Sequence, residues 1–425
     1  MKKQHVVVAG GGLIGLCTAY WLLRDGHRVT IVERTELGAG AATGNAGELT
    51  PQMVAPLASS NTARDIIHGV FAHRHYLSIA PLRLPQLARF GMGFLAASAG
   101  PLRARGDAAL AQFTPHLLAS LDRMAADGID TSGGSTGFLM TAESEPTMLA
   151  AHAAYAERAR RGWGDPPEDP MSGRELHEAE PTLTERTQFG FMLPGEVSID
   201  PVKFVASLIE RITELGAEVR LGLTVQRLGD GASVVCVDED ARQVTVSGDR
   251  VVLATGAWTS QVLRRSRIPH IPVVPGKGYW FTVPVKTMPR TLVHSMDRHC
   301  VVIPMSGRLR VVGIMSFDGE PERFHSDRIE VLRGFAEGLI EGADWDGRTD
   351  EWMGPRPMTA DGLPLIGPAT SSGEVLVASG HNMHGLSLGP ITGQIMADLI
   401  AGRQPGVANW PFDLRPFAVR RSAVS

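Results

Sequence analysis

The sequence predicts an α/β fold, α+β taken as a whole, in which a parallel-stranded unit is interleaved with a second unit of mixed sheet. Three observations predict it. A β-branched run, a glycine cluster and a helical repeat open the chain. Buried-strand runs of the same kind return in the middle, at Val251–Leu253, and near the end, at Val375–Ala378. Antiparallel-looking strands and helices fill the stretches between. At 425 residues the chain is long enough for two to three domain-sized units, so the recurrence means that it crosses between two of them several times.

The opening element carries the first chemistry. His5-Val6-Val7-Val8-Ala9 reads as a buried parallel strand, and Gly10-Gly11-Gly12-Leu13-Ile14-Gly15 matches G-x-G-x-x-G at Gly10, Gly12 and Gly15. Leu16, Ala19, Tyr20 and Leu23 then repeat at helical spacing until Asp25-Gly26. A second strand, Arg28 to Val32, ends in Glu33. Gly10 permits the sharp turn, Gly12 lets backbone approach a pyrophosphate, and Gly15 lets helix and strand pack closely. Unpaired N–H groups at the helix start favour phosphate. Glu33 suits the two hydroxyls of an adenosine ribose and repels a 2′-phosphate. The unit is Rossmann-like and binds a dinucleotide; by itself the element does not separate FAD from NAD. Lys2, Lys3 and the apolar stretch to Leu23 imitate a signal peptide, but the glycine spacing explains the stretch better and no cleavage site follows.

The remaining elements follow in order. Gly38 to Gly47 reads as a loop returning over a ligand, and residues 61–121 as helical, with Ile66, Ile67, Val70 and Phe71 and then Leu84, Leu87 and Phe90. Gly137 to Thr141 is a strand, Ala150 to Arg161 a polar helix, and Pro201 to Leu215 an amphipathic helix capped by Asp200. A strand at Ala217–Leu221 and a hairpin over Ser233–Val246 come next. Gly278–Val283, Cys300–Pro304 and Arg308–Ile314 read as antiparallel strands, Asp327–Ile340 as a helix, and Pro390–Ala401 as the last helix. The expected division gives 1–60, 180–262 and 350–415 to the nucleotide unit, and 61–179 with 263–349 to the second.

Composition excludes several classes. The balance of 41 basic against 45 acidic side chains is too even for nucleic-acid binding. Cys17, Cys236 and Cys300 lie far apart, which argues against a disulfide framework or a metal site and fits a reducing, cytoplasmic setting. Outside the opening stretch, no segment is expected to span a bilayer.

Beyond the fingerprint, Ala254-Thr255-Gly256-Ala257-Trp258, then Gly354-Pro355-Arg356-Pro357-Met358-Thr359-Ala360-Asp361-Gly362, then Ser379-Gly380-His381 occur in the order found in the D-amino-acid oxidase superfamily, which the chain resembles over nearly its whole length. Asn45-Ala46-Gly47 before Pro51, Lys277-Gly278-Tyr279 and Arg356-Pro357-Met358-Thr359 make it most similar to the bacterial D-amino-acid dehydrogenase branch. The resemblance implies a fold of the glutathione-reductase-2 type and a bound FAD. It implies oxidation of a small amino or imino acid, D-configured by branch, by hydride transfer to flavin N5. The imine then hydrolyses to a 2-oxo acid, and the electrons pass to a quinone, another carrier or oxygen. No His or Cys lies between Gly38 and Pro51, so FAD is expected to be non-covalent.

By the same resemblance the cofactor contacts are Gly10, Gly12, Leu13, Ile14, Gly15, Glu33, Arg34, Thr43, Gly44, Asn45, Ala46, Gly47, Val225, Ala254, Thr255, Gly256, Trp258, Gly354, Gly380, His381, Gly385, Leu386 and Ser387. Arg356 is the expected carboxylate ligand, because a guanidinium can fix a carboxylate with two parallel hydrogen bonds. His384 stands where some relatives carry Arg, and substrate contact competes there with capping of the next helix. Tyr279 is expected near the substrate or in ordinary packing. Lys277 alternates with it on one strand and is expected as an exposed edge lysine. Glu48 is unusual so close to a flavin; it reads as a solvated or capping acid, or as a reader of an amino group or a polar side chain. Apolar and basic residues mix over Ile66–Leu95 (His68, Phe71, His73, Arg74, Tyr76, Arg83, Leu87, Arg89, Phe90), which suits packing over the second unit or contact with the inner face of the cell membrane.

Three alternatives stay open: an oxygen-using oxidase of glycine, sarcosine or hydroxyproline, a flavin-binding but non-catalytic or electron-carrying subunit of a hetero-oligomer, and an NAD enzyme. Assembly with like or unlike chains also stays open.

Overall fold

A computed structural model gives the structure of the protein and describes residues 2–58, 76–80, 83–407 and 410–421. The opening strand, His5–Ala9, lies inside a six-stranded sheet. It pairs in parallel with Arg28–Val32 on one side and Arg250–Leu253 on the other. Glu218–Arg220 and Val375–Ser379 extend the parallel set, and Leu365–Pro368 closes one edge antiparallel. The sheet is covered on both faces, which is why its strands read as unbroken apolar runs. Val6 and Val8 face the helices Leu13–Arg24, Pro201–Glu214 and Gly385–Ile400. Val7 and Ala9 face a layer that includes the three-stranded sheet of Thr224–Leu228, Ser233–Val237 and Gln243–Ser247. Asp200 caps its helix as expected, accepting from the N–H groups of Val202 and Lys203.

The second sheet places in order Thr349–Thr359, Val273–Val283, Arg308–Phe317, Cys300–Met305, Leu292–Ser295, Thr136–Ala142, Phe189–Ser198 and Glu48–Leu49. It is mixed, since Leu292–Ser295 runs parallel to Thr136–Ala142 among antiparallel neighbours. It also curls. Trp280 Nε1 donates to the Gly44 carbonyl at 2.8 Å and Arg310 Nη1 to the Asn45 carbonyl at 3.0 Å. These bonds draw the loop before Glu48 across the sheet toward the opposite edge.

The structure corrects several expectations. Glu48–Leu49, Phe189–Ser198 and residues 350–359 of the strand Thr349–Thr359, all expected in the nucleotide unit, pair in the second sheet. Thr349–Thr359, to which the sequence assigned no element, is an 11-residue strand at the sheet's edge, where Pro355 and Pro357 withhold no ladder donor from a further neighbour. The last helix begins at Gly385, five residues before the proline taken as its start, and Pro390 sits inside it. Of the helical stretch expected over 61–121, Leu84–Ala97, Gly100–Ala111 and Leu117–Ala126 are helices. Ile66, Ile67, His68, Val70, Phe71, His73 and Arg74 lie outside the described residues. Among the described residues no helix is long and apolar enough to cross a membrane, and no group of His, Cys, Asp and Glu is arranged to hold a metal.

Candidate active site

The glycine fingerprint forms a cradle whose open and closed positions can be told apart. Gly10 has φ +113°, and a Cβ there would fall 2.5 Å from the Ala254 carbonyl oxygen. A Cβ at Gly15 would fall 1.9 Å from the Gly10 carbonyl oxygen, so this glycine serves close packing of helix on strand. Gly12, by contrast, would meet nothing within 4 Å. It is the N-cap of Leu13–Arg24, without a side-chain cap and with no acid in the first turn. Among the described residues the N–H groups of Leu13 and Ile14 find no acceptor, as an anion site requires.

Glu33 sits at the mouth of that space. Its carboxylate accepts from Gly11 N at 2.8 Å and Arg34 N at 2.7 Å, which leaves lone pairs for ribose hydroxyls. The Arg34 guanidinium lies 4.0 Å from the Trp258 ring centre and pairs with Glu322. Val225 follows closely on Leu223, whose N–H donates to the Glu33 carbonyl. Thr255, Thr259 and Ser379 join through hydroxyls, and Ser379 donates to the Gly256 carbonyl, so Ala254–Trp258 and Ser379–Gly380 form one floor.

A second helix start shows the same openness. Gly385, the first residue of Gly385–Ile400, would meet nothing within 4 Å if it carried a Cβ. Ser387, in that first turn, holds the returning loop: Thr50 N donates to its hydroxyl, and the hydroxyl donates to the Glu48 carbonyl. Within the loop Asn45 donates to the Ala42 carbonyl and accepts from Gly47 N. Thr43 bonds back to the Gly38 carbonyl. Gly44 and Gly354 both lie against the Trp352 ring, where a Cβ on either would collide with it. Two uncapped helix starts with open glycines, a ribose-type acid and a loop laid between them fit an extended FAD, whose pyrophosphate Gly12 and the helix start after it would hold.

Arg356 and Glu48 come from opposite edges of the curled sheet. The guanidinium lies over Gly278, where a Cβ would stand 2.1 Å from its central carbon. Nη1 donates to the Ile314 carbonyl at 3.4 Å; among the described residues this is its one hydrogen bond, so most of its donors stay unused. Ile314 is the extra residue of a bulge in Arg308–Phe317 and has φ +50°, a strained value for a β-branched side chain. Burial lowers the Arg356 proton affinity to about 10, with Glu48 opposing the shift. Glu48 is half-buried and, among the described residues, accepts no hydrogen bond on its carboxylate. Burial raises it to about 7 against the pull of Arg356, which corrects the expectation of a solvated acid.

Behind Glu48 stands a residue the sequence reading missed. Glu196 is fully buried; Oε1 accepts from Gln52 N at 3.0 Å, and Oε2 has no partner among the described residues. Burial, then the negative charge of Glu48, raises it to about 8, against the Gln52 bond. Tyr155 and Arg158 of the helix Glu145–Arg160 complete the cluster, with Arg158 Nη1 bonded to the Gln52 carbonyl at 2.7 Å. An acid at an inward position of an otherwise apolar strand, Phe189–Ser198, was the available signal.

Three expectations change here. Tyr279 lies on the face of its strand away from Gly278 and Arg356, in a cluster with Phe281, Ile329 and Leu332, so it is withdrawn from the substrate site. Lys277 shares that face with it but is buried. It pairs with Asp318 and donates to the carbonyls of Glu320 (3.1 Å) and Arg323 (2.8 Å), because the loop after Arg308–Phe317 folds over it. His384 bonds through Nε2 to the Ala55 carbonyl at 3.0 Å, and burial lowers it to about 4. It is a neutral brace and cannot supply a second cation for a carboxylate. His381 is likewise neutral, held by Thr392 and lowered to about 3 by burial.

Comparison with known proteins shows the family and the fold. The family model described as DAO, FAD dependent oxidoreductase, matches residues 5–399. The chain is 30% identical over 417 residues to D-amino acid dehydrogenase 2 of Pseudomonas aeruginosa, covering 95% of this chain and 96% of that one. It is 29% identical over 418 residues to D-amino acid dehydrogenase of Methylobacterium radiotolerans, covering 96% and 98%. Among solved structures, glycine oxidase from Geobacillus kaustophilus superposes with TM-score 0.74 at 25% identity, covering 99% of this chain and all of that one. L-proline dehydrogenase from P. horikoshii shares the fold, with TM-score 0.72 at 17% identity and coverage of 99% and 98%. The chain belongs to the DAO family of FAD-dependent oxidoreductases.

Proposed function

We propose that this flavoenzyme is a dehydrogenase of small D-amino or imino acids, with Arg356 as the carboxylate ligand. The observation that carries the reading is the Arg356 guanidinium. It is charged, half-buried and, among the described residues, held by a single long bond to the strained Ile314, and it lies close enough to Glu48, whose carbonyl is held by Ser387 of Gly385–Ile400, for each to alter the other's proton affinity. FAD, when bound without a covalent link, supplies the hydride acceptor. The chain orients the acid by its carboxylate, presents Cα and keeps the site apart from bulk water. The imine product hydrolyses to a 2-oxo acid and ammonia. Relatives named D-amino acid dehydrogenase support the donor class and its configuration.

Transfer of electrons to a quinone at a membrane surface is part of the proposal. Helix Leu84–Ala97 turns Arg89, Met92 and Leu95 outward, the last two 66% and 57% exposed, as a surface contact with lipid would use. The likeness to glycine oxidase favours a second reading, with oxygen as acceptor. One experiment addresses both. Holoenzyme is mixed anaerobically with D-, L- and N-alkyl amino acids, and the reduced enzyme is then offered quinone or air. Bleaching by small D-acids and reoxidation by quinone without peroxide at turnover rate is expected. Peroxide at turnover rate selects the oxidase, and no bleaching by any member of the panel removes the proposal.

A further inference from the structure

An amino acid held by its carboxylate carries its ammonium two bonds away, so whatever faces the carboxylate ligand also faces the nitrogen. Here that group is an acid. Glu48 stands at the sheet edge opposite Arg356 and close enough for each to alter the other's proton affinity. Its backbone is pinned on two sides: the strand pairs Glu48 with Ser198, and the Glu48 carbonyl accepts from Ser387. Its carboxylate alone is uncommitted, accepting no hydrogen bond among the described residues.

We propose that Glu48 is the proton acceptor for the substrate's ammonium group, an inference that rests on Arg356 holding the carboxylate. An N–H bond of the ammonium breaks and an O–H bond forms on Glu48. The electron pair stays on nitrogen, which is then neutral and able to support loss of hydride from Cα. No oxidant or further reactant is needed for this step. The groups around Glu48 set its readiness. Arg356 draws it toward the charged form, and Glu196 is a second buried acid with one oxygen unpaired. Tyr155 and Arg158 face the acid pair from the helix Glu145–Arg160, and the neutral His384 lies beside Arg158. Two acids coupled in this way hold one proton more readily than none. The pair therefore holds a proton readily, and Glu48, the member within reach of the Arg356 charge, is the one placed to exchange it with substrate. Burial places the Glu48 transition at about 7, within the range useful for a base.

The test uses holoenzyme and two unreactive ligands read by perturbation of the flavin spectrum. Propionate has only the carboxylate. 2-Methylalanine has carboxylate and ammonium but no α-hydrogen, so it binds without turnover. In the wild type, affinity for 2-methylalanine should rise with pH through about 7 as Glu48 ionises. Glu48→Gln should abolish that rise and weaken 2-methylalanine, while propionate binds at least as well, since a negative charge has gone. Flavin bleaching by substrate should slow roughly 100-fold or more and recover only as pH approaches the ammonium's own pKa, and Glu48→Asp should restore part of the rate. Should Glu48→Gln bleach at the wild-type rate with the wild-type pH limb while propionate still depends on Arg356, the base assignment alone is overturned. Should propionate ignore Arg356→Ala, the carboxylate reading falls and takes this one with it.

Discussion

Arg356 shows how far a single residue can be read and where reading stops. Its motif identified it in the sequence. What the sequence could not reveal is that a bulge turns the Ile314 carbonyl toward it and that Glu48 arrives from the far edge of the sheet. Arg356→Ala should keep the yellow colour and lose about 3 kcal/mol of carboxylate binding, roughly a hundredfold in the apparent dissociation constant from anaerobic titration. Arg356→Lys should recover only part, having charge without the planar fork. Glu196 makes a separate prediction, about stability. Its folded-state proton affinity, about 8, lies above the ordinary carboxylate range. Its contribution is therefore full at acid pH and lost as pH rises toward and through about 8. Glu196→Gln keeps an acceptor for Gln52 N, so its melting temperature should fall less than the wild type's between pH 5 and 9. Parallel curves would show that Glu196 does not titrate there. Lys277 was misread for a physical reason. Alternation puts it beside Tyr279, but both faces of that strand are covered, so alternation does not say which face meets solvent.

At the scale of elements, the strand–glycine–helix unit was legible because each part is local. The turn, the close helix contact and the terminal acid all fall within the first 33 residues. The structure now divides the glycines by task. Gly12→Ala adds a methyl to open space at an ordinary φ of −75°, so the apoprotein should melt as the wild type does. The same methyl enters the pyrophosphate's place, and FAD affinity by fluorescence titration should drop at least about tenfold, some 1.4 kcal/mol. Gly15→Ala should instead destabilise the apoprotein itself by about 1–3 kcal/mol, because backbone lies in the way. Equal apoprotein melting for the two variants would contradict this division. Thr349–Thr359 was not legible, since Gly354, Pro355 and Pro357 carry turn signals that only an edge position makes compatible with a strand. The early start of the last helix was missed likewise: Pro390 looked like a first residue, yet lies within a helix packed on Leu13–Arg24 through Gly389 and Gly393.

For the whole molecule, interleaving is the governing fact. Strands from the beginning, middle and end of the chain alternate between two sheets, and the site is made where the loop before Glu48 crosses from one to the other. The alternation of strand types was visible in the sequence. The pairing that sends Glu48–Leu49 and Thr349–Thr359 to opposite edges of the second sheet was not, because register between distant segments leaves no local mark. Neither sheet is a contiguous piece of chain, so calorimetry should show one unfolding transition. FAD at a hundredfold its dissociation constant should add about 2.7 kcal/mol; two transitions of which FAD moves one would contradict shared folding. Catalysis depends most on a guanidinium and a flavin acting on the same amino acid, and anaerobic stopped-flow of the flavin band with a small D-amino acid tests this most directly. The wild type should bleach in a single saturable phase, and Arg356→Ala, equally yellow, should need about a hundredfold more substrate to reach half its limiting rate. Identical saturation curves for the two proteins would contradict it.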